Sequence, residues 1–321
     1  METDPVIARR DLIKTTAAIA AAIPATLAAT SALGADQGPQ PQAAAEAAVP
    51  PTTLAEVPPG PDVKLTIERR DQVALFGLNR PDVQNRVDPE TFQALARAFY
   101  DYDHDPSLRA AILFGHGDNF SRGIDVEGFR AAAKTGNPLS GLTRIVNPLS
   151  YGPAQRTKPL IVAVHGDTWN LGHELFLAAD IRVAAAGTRF GQDENTHGRF
   201  PGGGSTVRFV REAGWGNAMR YMLTGDHWTA EDAYRIGTLQ EIAATPEAAL
   251  ARAVEIAGRI AACGPLGVQT TLVSAHLAID AGEAAAFSQL GAQYGALYRT
   301  RDFIEGVTAQ AEGRPPVFHG D

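Results

Sequence analysis

Two short segments gather residue types that could do chemistry: Asn170-Leu171-Gly172-His173-Glu174 and Gln192-Asp193-Glu194-Asn195-Thr196-His197. Glu174 and Glu194 stand twenty residues apart. Two carboxylates can divide proton work. One holds or activates a water while the other gives or takes a proton, provided their surroundings differ enough to leave one protonated near neutral pH. Taken singly, each is most simply a solvated acid. His165 and His173 lie close to the first acid, and His197 follows Glu194 by three residues, a spacing that suits one face of a turn at an active-site rim. No H-x-x-x-H or H-E-x-x-H pattern accompanies them, so no metal is expected. There is no G-x-S-x-G elbow. Gly202-Gly203-Gly204-Ser205 lacks the lysine of a phosphate loop, and Gly115-His116-Gly117 lacks the third glycine of a dinucleotide fingerprint. Cys263 is the one cysteine, which rules out an internal disulfide and reads as a small buried apolar residue.

Read in order, four local patterns carry a resemblance. The first is Leu78-Asn79-Arg80-Pro81 followed by Asn85. The second is Phe120-Ser121-Arg122-Gly123-Ile124-Asp125. The third runs from Lys158-Pro159-Leu160-Ile161-Val162-Ala163-Val164-His165-Gly166 to Gly172-His173-Glu174-Leu175 and Ala179-Asp180. The fourth is Phe190-Gly191-Gln192-Asp193-Glu194, then Phe200-Pro201-Gly202-Gly203-Gly204. A tail adds Phe303-Ile304-Glu305-Gly306 and Arg314-Pro315-Pro316-Val317-Phe318. In this order and spacing they resemble the crotonase (enoyl-CoA hydratase/isomerase) superfamily over residues 63–318.

The resemblance implies an α/β fold, a spiral of β-β-α units with a C-terminal helical region, assembled as a homotrimer or a pair of trimers. The chemistry it implies is stabilisation of an enolate by two backbone N–H groups, with no cofactor beyond a substrate that can be a coenzyme A thioester. The N–H donors fall on Ile124, after Gly123, and on Leu171. A glycine is the family's residue at the latter position, so leucine is a departure expected to crowd the pocket or bend the backbone. Glu174 and Glu194 take the places of the paired carboxylates. His173 and Asn170 join Gly123 and His197 as pocket candidates. Asp125 is expected to be structural, and His165 to serve in packing.

The family's coenzyme phosphates commonly meet basic residues, where this chain has Val83, Gln84 and Pro315; Arg86, Arg122 and Arg314 are the candidates to compensate. Three readings follow. The chain hydrates or isomerises an acyl thioester. Alternatively it is a coenzyme-free lyase or hydrolase of β-diketones, with Asn170, His173 and Glu174 activating water. Otherwise it is a non-catalytic binding protein on the same scaffold.

The elements that must position these groups are legible in pattern. Residues 63–69 alternate apolar and polar, 110–114 and 159–164 are short apolar runs, and 73–78 and 181–184 read as further strands. Helices are expected over 89–100, with Asp88 as N-cap and Pro89 first, over 174–179, over 246–262 with Thr245 as N-cap, and over 281–298. Strands alternating with helices predict an α/β domain. No internal repeat is evident. Arg9-Arg10, an uncharged alanine-rich stretch over 15–33 and small residues at 32–35 follow the plan of a twin-arginine export signal, which would place the protein in the periplasm or outside the cell; without it the chain would be cytoplasmic. Residues 36–61, rich in Ala, Pro and Gln, read as a linker, residues 62–260 as the core, and 261–321 as a helical trimerisation region. With 36 acids against 28 bases and a formal charge of -8, no nucleic-acid partner is expected. Pro24 interrupts the early apolar run, so no permanent membrane span is expected there either.

Overall fold

A computed structural model describes residues 51–134, 138–152 and 155–321. The export signal expected over 1–35 and the linker as far as residue 50 lie outside the described residues. A six-stranded sheet in the order β1-β2-β3-β4-β6-β9 carries the domain. Its strands are β1 (Leu65–Arg70), β2 (Val73–Leu78), β3 (Ala110–Gly115), β4 (Leu160–Val164), β6 (Ile181–Ala185) and β9 (Glu241–Ala243). The hairpin β1–β2 is antiparallel and every other pairing is parallel. β2 and β4 are buried at every residue, as parallel strands covered on both faces must be, whereas edge strand β1 alternates.

The two faces of the sheet differ. Ala74, Phe76 and Leu78 of β2 enter the main core, while Val73 and Leu75 enter a second cluster. On the first face lies α1 (Pro89–His104), whose N-cap Asp88 accepts the Thr91 N–H at 2.7 Å. Its Phe99 meets Phe76 edge-on with centroids 5.2 Å apart. On the second face α7 (Pro246–Ala261), capped by Thr245, packs its small stripe Ala249, Ala253 and Ala257 with Ile256.

A second, shorter sheet sets the site. It holds β5 (Asp167–Trp169), β7 (Arg189–Gly191) and β8 (Trp228–Thr229), in that order of pairing. Bridges Ser121–Thr168 and Val87–Ile124 extend the same stack. Each turn of the spiral thus runs from a strand of the large sheet to a short strand of the small one and on to a helix. β3 leads through Ser121 to α2 (Val126–Ala133), and β4 through β5 to α3 (Leu171–Ala178). β6 leads through β7 to a 3-10 turn (Glu194–His197) and α4 (Ser205–Ala213). The geometry repeats although the sequence does not. Helices α5 (Trp215–Thr224) and α6 (Ala230–Arg235) complete the core.

The C-terminal region is helical, with α8 (Pro265–Ala281), α9 (Glu283–Leu297) and α10 (Arg301–Glu312). One helix expected over 281–298 is instead α9, broken from a preceding α8 at Gly282, whose φ is +89°. Residues expected to end the linker are packed. Leu54 is buried and its N–H reaches Asp105 Oδ2 at 2.9 Å, and Val57 pairs with Ile67 on the edge of β1. Packing against the domain therefore extends before residue 62, because edge strand β1 takes a further partner. Cys263 is exposed, contrary to the buried reading. Among the described residues no helix is long and apolar enough to cross a membrane.

Candidate active site

The spiral stacks the loop after Ser121 on the loop after β5, which brings Gly123 beside the start of α3. Neither the Ile124 nor the Leu171 N–H has an acceptor among the described residues, although their neighbours Asp125 and Asn170 donate to Val87 and Gly191, each at 2.8 Å. Leu171 opens α3, where the first-turn N–H groups have no intrahelical partner and carry the positive end of the helix dipole. Gly123, with φ +95°, allows the approach: a Cβ there would stand 2.9 Å from Asn170 Cβ and 3.6 Å from Leu171 N. The Leu171 side chain is buried in the main core cluster, and its amide keeps no protein acceptor.

Both carboxylates are enclosed, Glu174 at 4% and Glu194 at 7% exposure. Glu174 Oε1 accepts the N–H of Gly203 at 2.6 Å and of Ser205 at 3.3 Å. Burial, and then the negative charge of Glu194, push the Glu174 carboxyl up to about 7 against the pull of those two amides. Burial raises Glu194 as well, opposed by hydrogen bonds from its own backbone and from Gln192. Gln192 Nε2 donates to both Glu194 oxygens, at 2.9 and 3.2 Å. Ser205 joins the two acids: its N–H meets Glu174, and its hydroxyl donates to Gln192 Oε1 at 3.0 Å.

Three expected pocket residues do other work. His173 is fully buried among Phe176, Phe190, Phe209 and Trp228. Its Nδ1 lies 2.5 Å from Gln192 Oε1, an oxygen that can only accept, so Nδ1 carries the hydrogen. Burial pushes the imidazole down to about 3 and keeps it neutral. His173 therefore orients Gln192 rather than meeting a ligand, and its Nε2 has no partner among the described residues. Asn170 has both amide atoms engaged by Asp193, Nδ2 donating to Oδ1 and Oδ1 accepting the Asp193 N–H, which fixes the orientation of its side chain. His197 is exposed at the end of the 3-10 turn, with Nδ1 2.6 Å from Thr196 Oγ1. His165 bonds Gly117 O at 2.8 Å, and Asp125 caps α2 through the Gly128 N–H at 3.2 Å, both as expected.

Gln192, Ser205, Gly203 and Asp193 complete the site without having been singled out for it. The Gly202-Gly203-Gly204-Ser205 run was the available signal, since a glycine run entering a helix brings backbone close to something. A Cβ on Gly203 would stand 2.2 Å from Glu174 Oε2. A cavity of about 840 Å³ is lined by Gly202, Gly204, Arg208 and residues of α8, and neither Glu174 nor Glu194 is part of its lining. Of the arginines available for phosphates, Arg122 is paired with Asp167 at 2.6 Å, and Arg314 with Glu305 and Glu312, each at 2.6 Å. Arg86 is exposed with no carboxylate partner among the described residues. No group of three or more His, Cys, Asp or Glu among the described residues is placed to hold a metal ion.

A two-sheet β-β-α spiral with a helical tail is a crotonase-type α/β architecture. Residues 68–321 match the family profile described as enoyl-CoA hydratase/isomerase, and the chain belongs to that family. It is 34% identical to the enoyl-CoA hydratase EchA19 of Mycobacterium tuberculosis, over 83% of this chain and 99% of that one. It is 31% identical to the crotonyl-CoA hydratase of Syntrophomonas wolfei, over 79% and 97%. Among solved structures, a "probable enoyl-CoA hydratase/isomerase" of Mycobacterium abscessus superposes with a TM-score of 0.78 at 42% identity, over 81% of this chain and 99% of that one.

Proposed function

We propose that this enzyme adds water to, or shifts the double bond of, an α,β-unsaturated acyl thioester. The observation that carries the reading is an enclosed, unequally held carboxylate pair on the same spiral turns as two unbonded amides. In hydration the water oxygen bonds to the β carbon and loses a proton to the ionised carboxylate. The thioester oxygen takes up negative charge as the enolate, facing the Ile124 and Leu171 N–H groups. The protonated carboxyl then gives its proton to the α carbon. Proton count is conserved, with one proton held by the pair before and after. Preorganised amides facing the oxyanion are typically the largest catalytic term.

Crotonyl-CoA is the first substrate to test, by loss of the enoyl-thioester absorbance. Turnover that is abolished by Glu174→Gln and by Glu194→Gln, with the fold intact, supports the reading; wild-type rates in both variants reject it. A second reading draws on the ion pairs that engage Arg122 and Arg314, which leave few cations for coenzyme phosphates. On that reading the substrate is a coenzyme-free β-diketone. Cleavage of a cyclic 1,3-diketone without crotonyl-CoA turnover would select it.

The assembly we infer is a homotrimer or pair of trimers. α8 buries none of its residues within the chain and α9 buries only Ala286, while Ile279, Phe287, Leu290 and Tyr294 are exposed. An apolar surface of this extent on a helical pair calls for a covering partner. The paired arginines at 9 and 10 lead us to infer export, which cell fractionation tests.

A further inference from the structure

Asn170 stands at a backbone conformation that favours glycine, with φ +52° and ψ −118°. The peptide that follows carries the Leu171 N–H, so whatever holds Asn170 there also aims that amide. What holds it is a reciprocal clasp with a residue 23 positions later. Asn170 Nδ2 donates to Asp193 Oδ1 at 2.8 Å, and the Asp193 N–H donates to Asn170 Oδ1 at 3.0 Å. The Asn170 N–H is fixed too, donating to Gly191 O at 2.8 Å. Behind the clasp, His227 Nε2 lies 3.4 Å from Asp193 Oδ2 and its ring lies 4.3 Å from Trp169, which also takes the Arg122 guanidinium at 4.5 Å. Asp193 immediately precedes Glu194 in the chain.

We propose that Asp193 is a positioning residue: its clasp on Asn170 holds the 170–171 peptide turned so that the Leu171 N–H faces the oxyanion, and ties that amide to the segment carrying Glu194. The clasp supplies through a side chain the conformational control that a glycine would otherwise supply through its freedom. The hydrogen bond from His227 holds the Asp193 carboxyl down at about 2, so it remains an ionised acceptor across the working range. The inference deepens the proposed reaction and rests on it for its kinetic readout only.

The test is a cycle of Asp193→Ala, Asn170→Gly and the double variant. With crotonyl-CoA, D193A is expected to lower kcat roughly 10- to 100-fold with little change in KM, as a misaimed transition-state donor should. In the N170G background the same substitution should change kcat by less than about threefold, because glycine reaches positive φ without the steric cost that the clasp offsets for asparagine. An undiminished loss in that background overturns the proposal. Crystal structures of D193A and of N170G/D193A give a second readout that needs no turnover. Residue 170 should leave positive φ in the first and keep it in the second; retention in both overturns the inference. If the wild-type protein does not hydrate crotonyl-CoA, the proposed reaction fails while the backbone readout still decides this point.

Discussion

The backbone N–H of Gly203 donates to Glu174 Oε1 at 2.6 Å, and the same glycine leaves no room for a methyl beside Glu174 Oε2. Gly203→Ala would place a Cβ 2.2 Å from that oxygen, so either the carboxylate or the turn into α4 must move. A displaced acid costs rate more than stability. The expected outcome is a fall of about 10²-fold in kcat/KM. Crotonyl-CoA kinetics beside a thermal melt check it, and unchanged kinetics would contradict the arrangement described.

Replacing Glu174 by Gln should stabilise the protein at alkaline pH while removing activity. The carboxyl is held up at about 7, above its ordinary value of 4.5. Below the ordinary value the acid is neutral in both folded and unfolded chains. As pH rises toward 7 the unfolded chain loses its proton first, so folding stability is lost across that interval and stays low above it. An amide escapes this loss. The melting temperature of E174Q relative to wild type should therefore rise between pH 5 and pH 8, which a series of melts would show.

His173 acts on stability with the opposite sign. Its folded value of about 3 lies below the ordinary 6.5, so stability is intact above 6.5 and is lost as falling pH protonates the unfolded chain. His173→Phe removes a protonation liability, and with it the hydrogen bond to Gln192. The variant should lose less stability than wild type between pH 7 and pH 5. Its kcat should fall, because the Gln192 Oε1 that orients the amide toward Glu194 is then held by Ser205 alone. Melts and steady-state kinetics over that range test both parts.

Leu290→Asp places a charge on the exposed apolar face of α9. If that face is covered by further copies of the chain, the variant should dissociate. Sedimentation should then show a trimeric or hexameric mass for wild type and a smaller one for the variant. A monomeric wild type would remove the assembly proposed here.

Local chemistry made much of the scaffold legible in the sequence. Asp88 and Thr245 cap the helices they were expected to cap, since N-capping needs only one side chain and a nearby N–H. The segments of β2, β3, β4 and β6 read as strands, and four ordered motifs pointed to the family. Boundaries shifted where packing intervened, as when Leu54 drew the supposed linker into the core.

The state of the site was decided by tertiary structure, because burial and charge act through space. Nothing in the order Gly-His-Glu tells that the histidine is sealed among four aromatic rings while the acid beside it is held by amides from a loop 29 residues later. Nor does a leucine at 171 reveal whether its side chain enters a pocket or, as here, the core. Motif spacing places residues along the chain. Desolvation, the joining of Glu174 to Glu194 through Ser205 and Gln192, and the clasp of Asn170 by Asp193 exist only once the spiral stacks one turn on the next.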